Sequence, residues 1–142
     1  MAELDAIHPA SDDERTAADI ARVENIDVFG DATRILPALL ESERLLPESW
    51  NASLRVAQME SKAKQYDASI AACNRGLTRS PGPLGRAWLL EVKADGLRTE
   101  KRVAEVRLTL AQALEAAQDI PFGRTRDSNL TKIKNAMASL PR

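Results

Sequence analysis

With 142 residues, 29% of them charged and a formal net charge of −1, the chain is sized for one domain and lacks the basic excess of a dedicated nucleic-acid binder. A single cysteine, Cys73, excludes an internal disulfide framework and a zinc site built from cysteines. Aromatics at 4%, beside abundant Ala, Leu, Glu and Arg, favour helix throughout, so the expected class is all-α.

Residues 1–15 are polar, acidic and broken by Pro9, and read as a flexible acidic tail. They have neither the basic start nor the apolar stretch of a secretory signal. No apolar run in the chain approaches the roughly 18 residues that span a membrane. The expected location is therefore cytoplasmic, with no membrane partner.

From Thr16 the pattern turns helical, with Ala17, Ile20, Ala21, Val23 and Val28 on one stripe. Phe29-Gly30-Asp31 stops it, Gly30 suiting a left-handed C′ position and Asp31 an N-cap. The second helix carries Ile35, Leu36, Leu39, Leu40 and Leu46 and ends at Pro47. Pro37 fits only in a first turn beginning near Thr33, or at a kink. Trp50 to Lys64 forms a third helix with Leu54, Val56, Ala57 and Met59 inward. Its partner, Ala68 to Arg79, turns Ile70, Ala71, Cys73, Gly76 and Leu77 inward.

Ser80-Pro81-Gly82-Pro83 is the strongest breaker in the chain, followed by Leu84-Gly85-Arg86 as extra loop. Ala87 to Leu97 is helical again, with Trp88, Leu89, Leu90, Val92 and Ala94. Arg102 to Ala117 places Val106, Leu108, Leu110, Ala113 and Leu114 inward. After the break at Ile120-Pro121-Phe122-Gly123, a last helix N-capped by Asp127 or Ser128 carries Leu130, Ile133, Met137 and Leu140.

Pro47 and Pro81 lie 34 residues apart, and each closes a helix–turn–helix stretch. Tyr66, Ser69, Gly76-Leu77 and Pro81, with Ala57 in the preceding helix, resemble the tetratricopeptide-repeat family at its tyrosine, small-residue and proline positions. The flanking stretches match less closely: Val23 and Ile35 replace small residues in the first, and the third supplies Ala94 and Ala113-Leu114. The resemblance implies an all-α solenoid of three antiparallel helix pairs, at about 16–49, 50–83 and 87–120, closed by a capping helix at about 127–140. The segment Asn74 to Leu97 is also similar to the C-terminal repeats of some bacterial thioredoxin-like proteins, through Gly82, Pro83, Arg86 and Lys93-Ala94-Asp95. No Cys-x-x-Cys is present, so no redox activity follows from that likeness.

The repeat family uses the first helix of each pair to line a peptide-binding groove. Carried onto this chain, the groove positions are Ile20, Glu24 and Asp27, then Asn51, Leu54, Gln58, Ser61 and Lys62, then Trp88, Glu91, Asp95 and Arg98. Helical geometry by itself sets Trp88, Glu91, Asp95 and Arg98 along one ridge. Leu54 and Gln58 stand where the chaperone-binding version of the fold begins its carboxylate clamp, so that specificity is not expected. Four inward acids, Glu24, Asp27, Glu91 and Asp95, favour a basic or amphipathic segment as the partner protein or peptide.

The acidic start and the basic end, Arg124, Arg126, Lys132, Lys134 and Arg142, offer an alternative. In it the chain is an oligomerisation or accessory domain acting through its ends, as a homo-oligomer or beside a thioredoxin-fold protein. Catalysis is not expected. The only histidine, His8, lies in the tail, Cys73 falls on an inward stripe, and no phosphate loop or metal-ligand cluster occurs. No cofactor and no metal are expected, and the cluster Arg98, Lys101 and Arg102 lacks the interleaved aromatics of a nucleic-acid site.

Overall fold

The computed structural model describes residues 11–25 and 31–141. These form seven helices with no strand among them: α1 (Asp12–Glu24), α2 (Ala32–Leu45), α3 (Trp50–Lys62), α4 (Tyr66–Leu77), α5 (Gly82–Thr99), α6 (Val103–Gln118) and α7 (Arg124–Ala138). None is long and apolar enough to cross a membrane. His8, Pro9, Asp27, Val28, Phe29 and Gly30 lie outside the described residues.

Capping chemistry sets several boundaries. Helix α1 starts at Asp12, four residues before the apolar stripe, because Ser11 and Glu14 form a capping box. The Ser11 hydroxyl accepts from the Glu14 N–H at 3.2 Å, and the Glu14 carboxylate accepts from the Ser11 N–H at 3.4 Å. Residues 12–15 therefore belong to the helix rather than to a tail. Asp31 caps α2 as expected, accepting from the Thr33 N–H at 2.9 Å. Since α2 begins at Ala32, Pro37 falls in its second turn and leaves the Thr33 carbonyl without its helical donor.

The Ser-Pro-Gly-Pro run opens a helix instead of a loop. Ser80 and Gly82 take positive φ values of 52° and 67°, and Pro83 occupies the first turn, where a missing N–H costs nothing. Residues 84–86, expected as loop, are accordingly helical. Helix α7 begins at Arg124, directly after Gly123, ahead of the expected Asp127 cap.

Each helix packs on its neighbour in sequence, and α3 also packs on α1 and α5. One cluster joins α2, α3 and α4 through Ile35, Leu39, Val56, Ala57, Met59 and Cys73. A second joins α5, α6 and α7 through Leu90, Leu97, Val106, Leu110, Ala117 and Ile133, with Ile70 of α4. Several expected apolar positions differ: in α1, Ala17, Ile20 and Ala21 are exposed while Asp19 and Arg22 are buried. Leu108 is 62% exposed, while Thr109 turns inward in its place. Ala71 is exposed and Ala72 is buried. One residue is about 100° of helical rotation, so a stripe misjudged by one step changes face.

The α3–α4 crossing is close. Ala57 is fully buried, and the Ser69 hydroxyl donates to its carbonyl at 2.8 Å. A Cβ on Gly76 would stand 2.7 Å from Leu89 Cδ2 and 3.1 Å from Ser53 Cβ, so glycine lets α4 approach both α3 and α5. Arg75 of α4 and Arg79, just beyond its end, tie back to α2 and the turn after it. Arg75 pairs with Glu43 at 2.8 Å, and Arg79 Nη1 donates to the carbonyls of Glu43, Leu46 and Ser49.

Candidate functional site: a groove across α1, α3 and α5

The first helices of the three expected pairs, α1, α3 and α5, line one recess of about 580 Å³. Ile20, Val23 and Glu24 of α1 form one wall. Asn51, Leu54, Arg55 and Gln58 of α3 form the floor. Trp88, Glu91, Val92 and Asp95 of α5 form the opposite wall, joined by Lys132 of α7.

Of the expected groove residues, the recess brings together Ile20, Glu24, Asn51, Leu54, Gln58, Trp88, Glu91 and Asp95. Ser61 and Lys62 line an adjoining recess of about 330 Å³, which shares Val23, Gln58, Val92 and Asp95 with the first. Arg98 lines neither and stands 3.9 Å from Asp95 at the surface. Asp27 is outside the described residues.

Trp88 is positioned by a second indole. It is 37% exposed, and its ring lies 6.4 Å from Trp50 at an interplanar angle of 56°. That tilted geometry is favourable for aromatic pairs and leaves part of the Trp88 ring facing solvent. Gly85 in turn makes room for Trp50, since a Cβ there would meet the indole at 2.8 Å.

Two buried ionisable groups of opposite sign face this recess. Glu91 is 7% exposed, its Oε1 has no hydrogen-bond partner, and Lys132 Nζ stands 3.9 Å away. Burial pushes the Glu91 carboxyl up to about 7; the Lys132 charge opposes the shift and Asp95 adds to it. Arg55 is 8% exposed, and its Nε and Nη2 have no partner. Burial draws its pKa below the usual guanidinium value, against the charge of Asp19. Asp19 is itself fully buried, and its Oδ1 accepts from Arg22 Nη1 at 2.7 Å.

Arg55, Val23, Val92 and Lys132 are the lining residues that sequence reasoning does not reach. Arginine is ordinarily a surface residue, and nothing in Leu54-Arg55-Val56 marks it otherwise. The available signal is that α3 is central: Ala52 through Ala57 are all buried, because helices pack on it from several sides. Lys132 arrives through tertiary folding of α7 and has no local mark.

A larger recess of about 760 Å³ lies at the α2–α3 turn and shares no residue with the groove. Its Arg75 and Arg79 are already engaged by Glu43 and by backbone carbonyls. Cys73 is fully buried, and burial pushes its thiol up to about 12, far from thiolate chemistry. Among the described residues no cluster of three His, Cys, Asp or Glu side chains is placed to hold a metal ion. No protein-family model and no curated protein matches this chain.

Proposed function

We propose that the chain is a non-catalytic protein-interaction module that takes a basic or amphipathic peptide or helix in the groove across α1, α3 and α5. In this reading α1–α6 are three tetratricopeptide-like pairs and α7 is their cap. The packing of α3 on α1 and α5, and the small residues Ala57, Ser69 and Gly76 at close crossings, support that arrangement.

The observation that carries the functional reading is the recess itself. It joins a half-exposed indole and apolar Ile20 and Leu54 to the acids Glu24, Glu91 and Asp95. An aromatic anchor beside desolvated charge is the composition of an interface hot spot, and the acids complement a cationic side chain. The test is affinity capture from host lysate with the native chain and with the double variant Trp88→Ala, Asp95→Lys. A partner held only by the native chain supports the reading, whereas equal recovery by both chains overturns it.

Self-association through the ends is a second reading, favoured by one observation. Phe122 is 88% exposed, and the Arg126 guanidinium lies 5.8 Å from its ring centroid, an apolar and basic corner beside α7. The exposed acids Asp12, Asp13 and Glu14 open the first helix and supply the opposite charge. Sedimentation of Phe122→Ser and Lys134→Glu variants decides it: an unchanged monomer mass for the native chain sets it aside.

A further inference from the structure

Among the described residues, Arg55 lines the groove without a counter-ion in hydrogen-bond contact, unlike several other arginines of the chain. Arg44, Arg75 and Arg102 each present the Nε and Nη2 edge to a glutamate, Glu41, Glu43 and Glu105 respectively, at 2.6 to 3.2 Å. The same edge of Arg55 is enclosed and has no hydrogen-bond partner. Asp19, whose charge reaches it, is bonded to Arg22 instead. Only Nη1 of Arg55 keeps solvent contact, on a residue that lines the groove. A buried charge is ordinarily paired and hydrogen-bonded, and Arg55, which lines the groove, is placed to take a partner from outside the chain.

We infer that Arg55 is the anchor for a side-chain carboxylate of the bound segment, while Glu91 receives a basic side chain of the same segment. The inference rests on the groove reading above and narrows its ligand: a mixed-charge amphipathic segment rather than a purely basic one. Arg55 and Glu91 sit on α3 and α5 respectively, which pack directly together. Packed helix axes lie about 8–10 Å apart, a span that an acid and a base a few residues apart on one segment can cover. Ile20, Leu54 and Trp88 supply apolar contact between and around the two charges. A carboxylate on the guanidinium forms the charge-assisted pair that arginine geometry favours.

The probe is a random twelve-residue peptide library displayed on phage with its C terminus fused to the coat protein, so that every carboxylate offered is a side chain. It is selected on the native chain, on Trp88→Ala, Asp95→Lys, and on Arg55→Gln and Arg55→Lys, each checked for helix content by circular dichroism. Peptides lost on the Trp88 and Asp95 double variant are expected to carry Asp or Glu near a Lys or Arg. Replacing that acid by its amide is expected to weaken binding to the native chain at least tenfold, and binding to Arg55→Gln less than twofold. Groove-dependent peptides with no acidic position, or an amide replacement without effect on the native chain, overturn the anchor while leaving the groove intact. Should both Arg55 variants fail to fold, the amide replacement on the native chain still decides the matter. Recovery of no groove-dependent peptide overturns the groove reading and the anchor with it.

Discussion

Arg75 of α4 holds Glu43 of α2 through both carboxylate oxygens, with Nη2 at 2.8 Å and Nε at 3.1 and 3.2 Å. The glutamate side chain is 8% exposed and the arginine side chain 42%, so one partner is desolvated and the other is half in water. Glu60, 5% exposed, is held up by burial and drawn down by the same arginine. Arg75→Met therefore strands two buried acids. The expected loss is about 2 kcal/mol, between the values for exposed and buried pairs. Urea unfolding checks it, and Glu43→Gln is expected to cost less.

Glu91 gives the stability a pH dependence of definite sign. Its folded pKa, about 7, is above the ordinary glutamate value of 4.5. Between these values the folded chain keeps a proton that the unfolded chain has released, so stability falls as pH rises through the window. The fall levels off above pH 7 and amounts to about 3 kcal/mol at most. Glu91→Gln removes this dependence, so the variant is expected to gain on the native chain at pH 8 relative to pH 5. Urea midpoints at the two pH values measure the difference.

The same carboxyl predicts how binding responds. A cationic side chain on Glu91 favours its ionised form, so affinity for a groove ligand rises from pH 6 to pH 8. The Asp95 carboxyl, raised by burial as well, lines the same recess and acts in the same sense. Titration calorimetry in two buffers of different ionisation enthalpy would also detect the proton released on binding.

Pro37 marks a place where the chain is less stable than it could be. Its ring is exposed within α2, and the position lacks the N–H that would meet the Thr33 carbonyl. Pro37→Ala is expected to stabilise by about 1–3 kcal/mol, the range set by restoring the hydrogen bond and relieving the ring. Thermal denaturation followed at 222 nm reads this out. A lower midpoint would mean that the proline bend is needed for α2 to lie on α3.

Gly76→Ala tests the close approach of α4. The added methyl would meet Leu89 on one side and Ser53 on the other, and only the leucine end can yield easily. A loss of about 1–2 kcal/mol is expected from overpacking, despite the better helix propensity of alanine. Ser69→Ala, which removes only the bond to the Ala57 carbonyl, is expected to cost about 1 kcal/mol.

Helical periodicity made the helices legible and set Trp88, Glu91 and Asp95 along one ridge, which lines the recess. Their register follows from spacing alone, because residues three and four apart share a helix face. What could not be read was chemistry that depends on a second helix. Arg55 becomes buried only once α1 and α5 lie beside α3, and Lys132 meets Glu91 only after α7 folds back. The boundaries failed for a nearer reason. Ser11-x-x-Glu14 and the Pro83 first turn are local signals that start helices, yet both were overshadowed by the charge and the prolines around them.

Arg79 has a bearing on how the chain comes to be folded at all. Its Nη1 collects the carbonyls of Glu43, Leu46 and Ser49, so the elbow between α2 and α3 is closed by a residue thirty positions downstream of it. Helices α2 and α3 thus wait for the chain that follows α4 before their junction is secured. A fragment ending at Lys64 is expected to remain largely unstructured, and amide protons of α2 and α4 should exchange together rather than in sequence. On this expectation α2 and α3 do not fold ahead of α4.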